Sequence, residues 1–297
     1  MSKKVVAIIV TYNRKELLRE CIEALLNQDY KHCDILIIDN ASTDGTREYI
    51  NSVVDNKKVI YINTGSNLGG AGGFNYGIKE AYKLGYDYMW IMDDDCIVHN
   101  DSLSELMSFD KKVDGNYGFL ASKVLWKDNN ICTMNVPRRT LTKNLNDFEK
   151  VSKISMSSFV SLFIKRSIVE EFGLPIKEFF IWTDDWEYTR RISRTYDCYF
   201  VPTSTVTHKS SSNIGANIVS APSERLDRFN YLYRNDYYLY KREGIRGFLY
   251  LYPRLLVHIL RVKKSNLPDK KRRIKIIKQA TKKGKKFNPV IEFVEGD

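Results

Sequence analysis

Four short apolar runs, at residues 5–10, 35–38, 59–62 and 86–92, each end at a cluster of polar residues or at a turn. Their length and their richness in Val, Ile and Met match strands buried on both faces. After the first run, Leu17, Leu18, Cys21, Ile22, Leu25 and Leu26 recur at helical spacing, and residues 46–53 read as a short helix. A glycine-rich loop over residues 65–73 is expected to precede a helix over 74–84. Strands alternating with helices predict an α/β fold, a doubly wound and mostly parallel sheet with helices on both faces. Ligands of such sheets bind beyond the carboxyl ends of the strands. The polar clusters at 11–13, 39–44 and 93–95 should therefore converge on one rim.

Further along, residues 157–164 resemble another buried strand, 184–196 a helix, and 198–201 and 205–207 two short strands. Residues 209–221 are rich in Ser, Asn and Gly and predict a mobile loop. Beyond Pro222 the pattern is helical, aromatic and then basic. The expected division is a catalytic domain over 1–221, with a nucleotide-binding half at about 1–98 and an acceptor half at about 99–221, followed by a helical region over 222–297.

The formal charge of +11 is unevenly placed. Residues 261–287 hold thirteen Lys/Arg against one acid, Asp269, which leaves 34 basic and 35 acidic residues elsewhere. A nearly neutral body thus carries a basic tail that can face anionic lipid, nucleic acid or water. The five cysteines are scattered and form no C-x-x-C pair, which argues against a zinc site or a disulfide framework and for a reducing compartment. The longest apolar stretch, residues 248–260, is broken by Pro253, Arg254 and His258, well short of the roughly twenty apolar residues a span needs. A cytoplasmic enzyme body is the expectation.

The triplet Asp93-Asp94-Asp95 is the sharpest chemical feature, because adjacent carboxylates repel one another unless a cation joins them. Asp93 and Asp95 can share Mg²⁺ or Mn²⁺ and leave room for phosphate oxygens; the triplet would equally serve as a solvated turn or a helix start. Asp39, at the end of the second run, can accept a hydrogen bond from a base or a ribose, or simply brace a turn with Asp44. The glycines from Gly69 to Gly73 offer bare backbone at a helix start, suited to an anion or to close packing. In Trp182-Thr183-Asp184-Asp185-Trp186-Glu187, Asp184 and Glu187 fit a capping box and leave Asp185 as a candidate general base. Trp182 is either a platform for a sugar face or core. His208 ends a short β-like run and is a candidate metal ligand or a structural histidine.

Taken together, these segments resemble family 2 glycosyltransferases of the GT-A fold. The matching pieces are Ile9-Val10-Thr11-Tyr12-Asn13-Arg14, Asp39-Asn40-Ala41-Ser42-Thr43-Asp44-Gly45, Asn67-Leu68-Gly69-Gly70, Met92-Asp93-Asp94-Asp95, Trp182-Thr183-Asp184-Asp185 and His208. They span about residues 4–210. The resemblance implies that Thr11 and Tyr12 line a base pocket, that Asp39 reads a pyrimidine, and that Asn13, Arg14, Asn67, Gly69, Gly70 and Asp94 complete the nucleotide side. It implies a metal-binding D-x-D in Asp93 and Asp95, completed by His208 around Mn²⁺ or Mg²⁺. Asp185 aligns with the family's catalytic base, and Asp184 and Trp182 with positions that place acceptor or donor. The family's inverting outcome implies one displacement without a covalent sugar–enzyme intermediate.

The Gly-Gly-Ala-Gly-Gly-Phe stretch and the Trp-x-Asp-Asp segment look most like the bacterial galactofuranosyltransferase and rhamnosyltransferase branch. That likeness implies a UDP-galactofuranose donor, or dTDP-rhamnose as the alternative, and a lipid-linked or polysaccharide glycan acceptor, with a polyprenyl carrier expected. The extra N-terminal β-domain of the larger mycobacterial galactofuran polymerases has no counterpart in the sequence, so addition of one or a few residues is expected.

Aromatic residues crowd the C-terminal region at Phe229, Tyr231, Tyr233, Tyr237, Tyr238 and Tyr240 and again over 248–252, beside the lysines. That composition suits an interfacial surface on the inner face of the cell membrane, or a packing appendage that forms a homo-oligomer. Two rival functions are weaker. A nucleotidyltransferase would want a glycine-rich, basic loop directly after the first strand, where the chain has Thr11-Tyr12-Asn13-Arg14. A nucleic-acid-binding protein would need a basic groove on the body, which is nearly neutral; no nucleic-acid partner is expected.

Overall fold

The computed structural model describes residues 3–53 and 58–294. The chain runs β1 (Val5–Thr11), α1 (Lys15–Leu26), β2 (Cys33–Asp39), α2 (Thr46–Val53), β3 (Val59–Asn63), α3 (Gly69–Lys83), β4 (Tyr88–Asp93) and β5 (Cys96–Val98). It continues through α4 (Ser102–Lys112), β6 (Phe119–Trp126), β7 (Ser152–Lys153), β8 (Leu162–Lys165), α5 (Arg166–Phe172), α6 (Asp184–Ser193) and β9 (Tyr199–His208). Three helices finish it: α7 (Phe229–Lys241), α8 (Gly244–Lys264) and α9 (Lys270–Lys286).

The strands make one nine-stranded sheet in the order β3-β2-β1-β4-β8-β6-β9-β5, with β7 against β9. β3, β2, β1 and β4 are parallel neighbours. β8 runs against both β4 and β6, while β6 and β9 are parallel and β5 and β7 oppose β9. Four of the eight pairings are parallel and four antiparallel, so the sheet is mixed rather than mostly parallel, with the antiparallel pairings on the later half. Alternation along β1 explains why apolar runs were needed there. Val5, Ala7 and Ile9 join the apolar cluster that includes residues of α1 and α4, and Val6, Ile8 and Val10 the one that includes residues of α3 and α6. Both faces are dry, so no polar residue can interrupt the strand until its end.

Four boundaries differ from the sequence expectation. The helix expected from residue 74 begins at Gly69, and Gly70, Gly72 and Gly73 lie inside it. Helix propensity argues against that placement, but packing decides it: a Cβ on Gly73 would meet the Val10 side chain, and one on Gly77 would meet Ile8. The strand expected over 157–164 is confined to β8, and residues 157–161 are an irregular approach to it. The two strands expected at 198–201 and 205–207 are one strand, β9, whose register against β6 jumps between Val201 and Thr205. The break in apolar pattern therefore marked an irregularity, not an end. α6 stops at Ser193, three residues before the expected Tyr196.

The C-terminal helices form their own apolar cluster around Leu226, Phe229, Leu232, Tyr233, Tyr237, Leu239, Tyr240, Leu251 and Ile277. The aromatic residues expected at an interfacial surface are largely inside it: Phe229, Tyr233, Tyr237, Tyr238 and Tyr240 are all buried. Composition placed them near a surface; the pairing of α7 with α8 and α9 encloses them. Among the described residues, no helix is long and apolar enough to cross a membrane.

Candidate active site

Three strand ends build the rim. Thr11 closes β1, Asp39 closes β2 and Asp93 closes β4, and register sets Thr11 opposite Asp39 and Val10 opposite Asp93. The loops after β1 and β2 are tied together. Asn13, in the left-handed region at φ 53, donates its amide to Ser42 Oγ at 2.8 Å and accepts from the Thr43 amide at 2.7 Å. Asp44 accepts from the Lys15 amide at 2.9 Å and from Thr46 Oγ1 at 2.6 Å, so it links the starts of α1 and α2. Tyr12 stands at the rim, 44% exposed. Asp39 is fully buried and accepts from the Ser42 amide at 2.8 Å and Tyr61 Oη at 2.6 Å. A base reaching Asp39 must share its remaining lone pairs or displace one of these donors.

A fourth contribution arrives from far along the chain. β9 pairs antiparallel with β5 so that His208 faces Cys96, and the Lys209 amide donates to the Asp95 carbonyl at 2.8 Å. The aspartate triplet then divides by partner. Asp94 turns back into the protein, accepting from Thr11 Oγ1 at 2.7 Å and Arg14 Nη1 at 3.2 Å. Asp93, Asp95 and His208 instead offer ligand atoms that all lie within 4.8 Å of one another. Arg14 also reaches Asp95 Oδ2 at 2.9 Å, half-exposed at the mouth of the site.

The geometry around His208 tests whether a cation fits. Asn135 Oδ1 lies 2.7 Å from His208 Nδ1, and Asn135 Nδ2 donates to Ser158 Oγ at 3.0 Å, so the amide oxygen faces the ring. An amide oxygen only accepts, which assigns the proton to Nδ1 and leaves the Nε2 lone pair facing Asp95 in the neutral ring. Nε2 sits 3.0 Å from Asp95 Oδ1, yet that buried oxygen has no hydrogen-bond partner of proper geometry. Two lone pairs at that separation call for something positive beside them. About 3 Å is also the edge between neighbouring ligands of an octahedral ion bound at roughly 2.1 Å. The residues fit a divalent cation of the Mg²⁺ or Mn²⁺ type.

The titration behaviour carries the same strain. Burial pushes Asp93 up to about 6, with help from the Asp95 charge. Burial also raises Asp94, to about 7, against the pull of Arg14. Burial alone would lower His208, but its contacts with Asp95 outweigh that and take it to about 10; the same contact holds Asp95 below the ordinary carboxylate range against its own burial. A proton on Nε2 is one way to fill the gap; a divalent cation is the other.

The second half of the site is the segment before α6. Phe180, Trp182 and Thr183 have φ of 63, 66 and 71, conformations that cost about 1–3 kcal/mol each and need external support. α7 supplies it. The Asn235 side-chain amide donates to the carbonyls of Phe179 at 3.0 Å, Ile181 at 3.2 Å and Trp182 at 2.9 Å, and Thr183 Oγ1 donates to Asp236 Oδ1 at 3.0 Å. Gly69 completes the fit: at φ 72, any side chain on it would collide with Phe180, whose carbonyl accepts from the Ala71 amide at 3.2 Å. Asn67 Oδ1 accepts from the Gly69 amide at 2.9 Å and so braces the start of α3, while a Cβ on Gly70 would meet nothing within 4 Å.

The capping box expected at α6 does not form. Thr183 is the residue before the helix, and Glu187 pairs with Arg191 at 2.9 Å instead of reaching back. The left-handed Thr183 denies Asp184 the N-cap position, and both aspartates enter the first turn. Asp185 Oδ1 accepts from the Trp186 amide at 2.7 Å, and the residue is partly buried. Burial and the Asp184 charge raise Asp185 well above the carboxylate range; burial takes Asp184 to about 7, and the charge of Asp93 adds to both. The charge of Asp93 thus acts on both aspartates. Trp182 rests half-buried against Phe229, ring centroids 5.1 Å apart. Asn135 and Asn235 had no signal in the sequence, since each acts across a long stretch of chain on a residue with no fixed spacing from it.

Comparison with known proteins agrees with this architecture. The sequence profile for Glycosyl transferase family 2 matches residues 6–173. The galactofuranosyltransferase GlfT1 of Mycolicibacterium smegmatis is 27% identical over 273 residues, covering 82% of the chain and 85% of that protein. Among solved structures, S. aureus TarS 1-349 in complex with UDP-GlcNAc superposes with a TM-score of 0.56 at 13% identity, over 96% of this chain and 73% of that one. GalNAc-T7 with UDP, GalNAc and Mn²⁺ superposes with a TM-score of 0.59 at 15% identity, over 80% and 50% of the two chains. At such identities the superpositions establish a common fold.

Proposed function

Since the chain belongs to glycosyl transferase family 2, we propose that it is an inverting, divalent-metal-dependent hexosyltransferase that moves galactofuranose from UDP-galactofuranose to a glycan acceptor in bacterial cell-surface polysaccharide synthesis. The observation that carries the reading is the cation-shaped cluster of Asp93, Asp95 and His208 at the strand ends, supported by the raised carboxylate of Asp185, on which the charge of Asp93 acts. The similarity to GlfT1 along most of both chains supports galactofuranose, and the nucleotide bound by the two structural neighbours supports a UDP donor.

Asp93, Asp95 and His208 would hold Mn²⁺ or Mg²⁺, which when bound neutralises the charge growing on the diphosphate leaving group. Asn135 holds the His208 ring with Nε2 toward that position. Arg14 and Thr11 keep Asp94 out of the cluster, and Arg14, half-exposed, adds a positive charge where phosphates would lie. Asp185 takes the proton of the acceptor hydroxyl as its oxygen bonds to the anomeric carbon; the bond from that carbon to the diphosphate breaks, and the nucleoside diphosphate leaves. A base with a raised pKa is better matched to a hydroxyl proton than an ordinary carboxylate. Tyr12, Asn13 and Asp39 border the nucleotide pocket, and Trp182 and Asp184 the sugar and acceptor. The acceptor is carried on a polyprenyl lipid, and the C-terminal region holds the enzyme on the anionic inner face of the membrane.

Donor binding and hydrolysis across a panel of nucleotide sugars, with Mn²⁺, with Mg²⁺ and with chelator, tests this. Metal-dependent selection of UDP-galactofuranose is expected, with Asp95→Ala losing the metal-dependent part of the affinity. Selection of dTDP-rhamnose would keep the mechanism and change the donor; tight binding unaffected by chelator would refute the metal site.

A further inference from the structure

α8 has two unlike faces. Gly247, Leu251, Leu255 and Val262 are buried against the other C-terminal helices. On the other side Ile245 is 79% exposed, Leu249 71%, Tyr252 48%, Leu256 56% and Leu260 43%. Their spacing of four, three, four and four residues lays them in one stripe about 22 Å long. The outward face of a surface helix ordinarily carries charge, and a contiguous apolar patch marks an interaction surface.

The charges around the stripe identify the partner. α8 contains no acidic residue. Exposed Lys241, Arg242 and Arg246 stand at its amino-terminal end and exposed Arg261, Lys263 and Lys264 at its carboxyl-terminal end. The one acid of residues 241–264, Glu243, is engaged by Arg190 at 2.8 Å and Arg194 at 2.6 Å. α9 follows with ten Lys/Arg and no acid. A second copy of the chain is a poor occupant, because stripes packed parallel or antiparallel would set a basic end beside a basic end. An anionic bilayer accepts the whole pattern: side chains at the acyl boundary and headgroups around both basic ends.

We propose that the stripe Ile245–Leu249–Tyr252–Leu256–Leu260 is the face on which this protein lies on an anionic bilayer. The docking face connects to the active site through two side-chain contacts. Arg254 on α8 reaches Asp236 Oδ2 at 2.6 Å, and Asp236 Oδ1 accepts from Thr183, next to Asp184. The segment that carries the base is thereby held at a set distance from the surface, where a lipid-borne acceptor is presented. This deepens the proposed function and rests on it for the acceptor alone; the docking stands on α8 itself.

Flotation of the full chain with vesicles of phosphatidylglycerol and phosphatidylcholine, against phosphatidylcholine alone, tests the face. The wild type should float with the anionic vesicles only. The double variant Leu249→Glu/Leu256→Glu should lose at least about tenfold in binding, since it removes two apolar side chains from the acyl boundary and sets two negative charges against an anionic surface. Lys263→Gln/Lys264→Gln should weaken binding severalfold, and both variants should hydrolyse donor like the wild type. Undiminished flotation of the glutamate variant would overturn the proposal. So would a wild-type dimer by light scattering that the glutamate variant splits while vesicle binding persists. Absence of donor hydrolysis in the wild type would count against the transferase reading and leave the docking result standing.

Discussion

Asp185 sits in the first turn of α6, where the helix dipole favours its charge, yet burial and Asp184 win and raise its pKa. The sign follows directly. As a base it works only when unprotonated, so transfer is expected to increase with pH through a pKa above the carboxylate range. Asp185→Asn should remove that rising limb and lower turnover by about 10²–10⁴, with donor affinity kept within about twofold. A pH profile of turnover beside a donor-binding isotherm checks both, and wild-type turnover in the variant would refute the assignment. The Asn135 contact predicts a different split. Asn135→Ala frees the His208 ring and should cost about 10–100-fold in Mn²⁺ affinity, read by titration calorimetry without any sugar present. The aspartates and the histidine stood out in the sequence as candidates because their residue types suit metal chemistry, and the structure brings Asp93, Asp95 and His208 together. Asn135 was not, because its role exists only when a strand 73 positions away arrives beside it.

At the scale of elements, α3 and the segment before α6 are the instructive pair. The glycines of α3 read as a loop because glycine is the poorest ordinary helix former apart from proline. They are helical because the helix lies too close to β1 for side chains. Gly77→Val should therefore destabilise the fold by at least about 1–3 kcal/mol through overpacking against Ile8 and Ile38, measured as a lower denaturant midpoint with unchanged slope. The segment from Phe180 to Thr183 makes the converse point. Nothing in Phe-Ile-Trp-Thr asks for left-handed backbone; Asn235 and Asp236 of α7 hold it there. Asn235→Ala removes the donor shared among the Phe179, Ile181 and Trp182 carbonyls and should cost about 1–3 kcal/mol. Its telling signature lies elsewhere. Turnover should fall about tenfold or more while Mn²⁺ affinity stays put, since the loop moves and the metal cluster does not. Equal losses in both would mean a general loss of structure.

For the whole molecule, the C-terminal helices are expected to matter to catalysis as well as to location. A chain ending at residue 221 loses α7 with its buried Tyr233, Tyr238 and Tyr240, and with it the donors to the segment before α6. Such a fragment should fail to transfer sugar and should melt without a cooperative transition in circular dichroism. A soluble, cooperatively folding fragment with full donor hydrolysis would refute this. The sequence by itself determined the alternation of strands and helices, the rim at the strand ends, and the family-bearing clusters along it. These are local: apolar period and strand length are written in neighbouring residues, and a parallel sheet delivers its strand ends to one side. Only the tertiary structure decided that Asn135 braces the His208 ring, that Asn235 grips the segment before Asp184 and Asp185, and that the aromatic residues of α7 lie inside while the aliphatic stripe of α8 lies outside. Composition counts apolar side chains but does not say which of them find a neighbour, and that is settled by strand register and helix pairing across large separations in the chain.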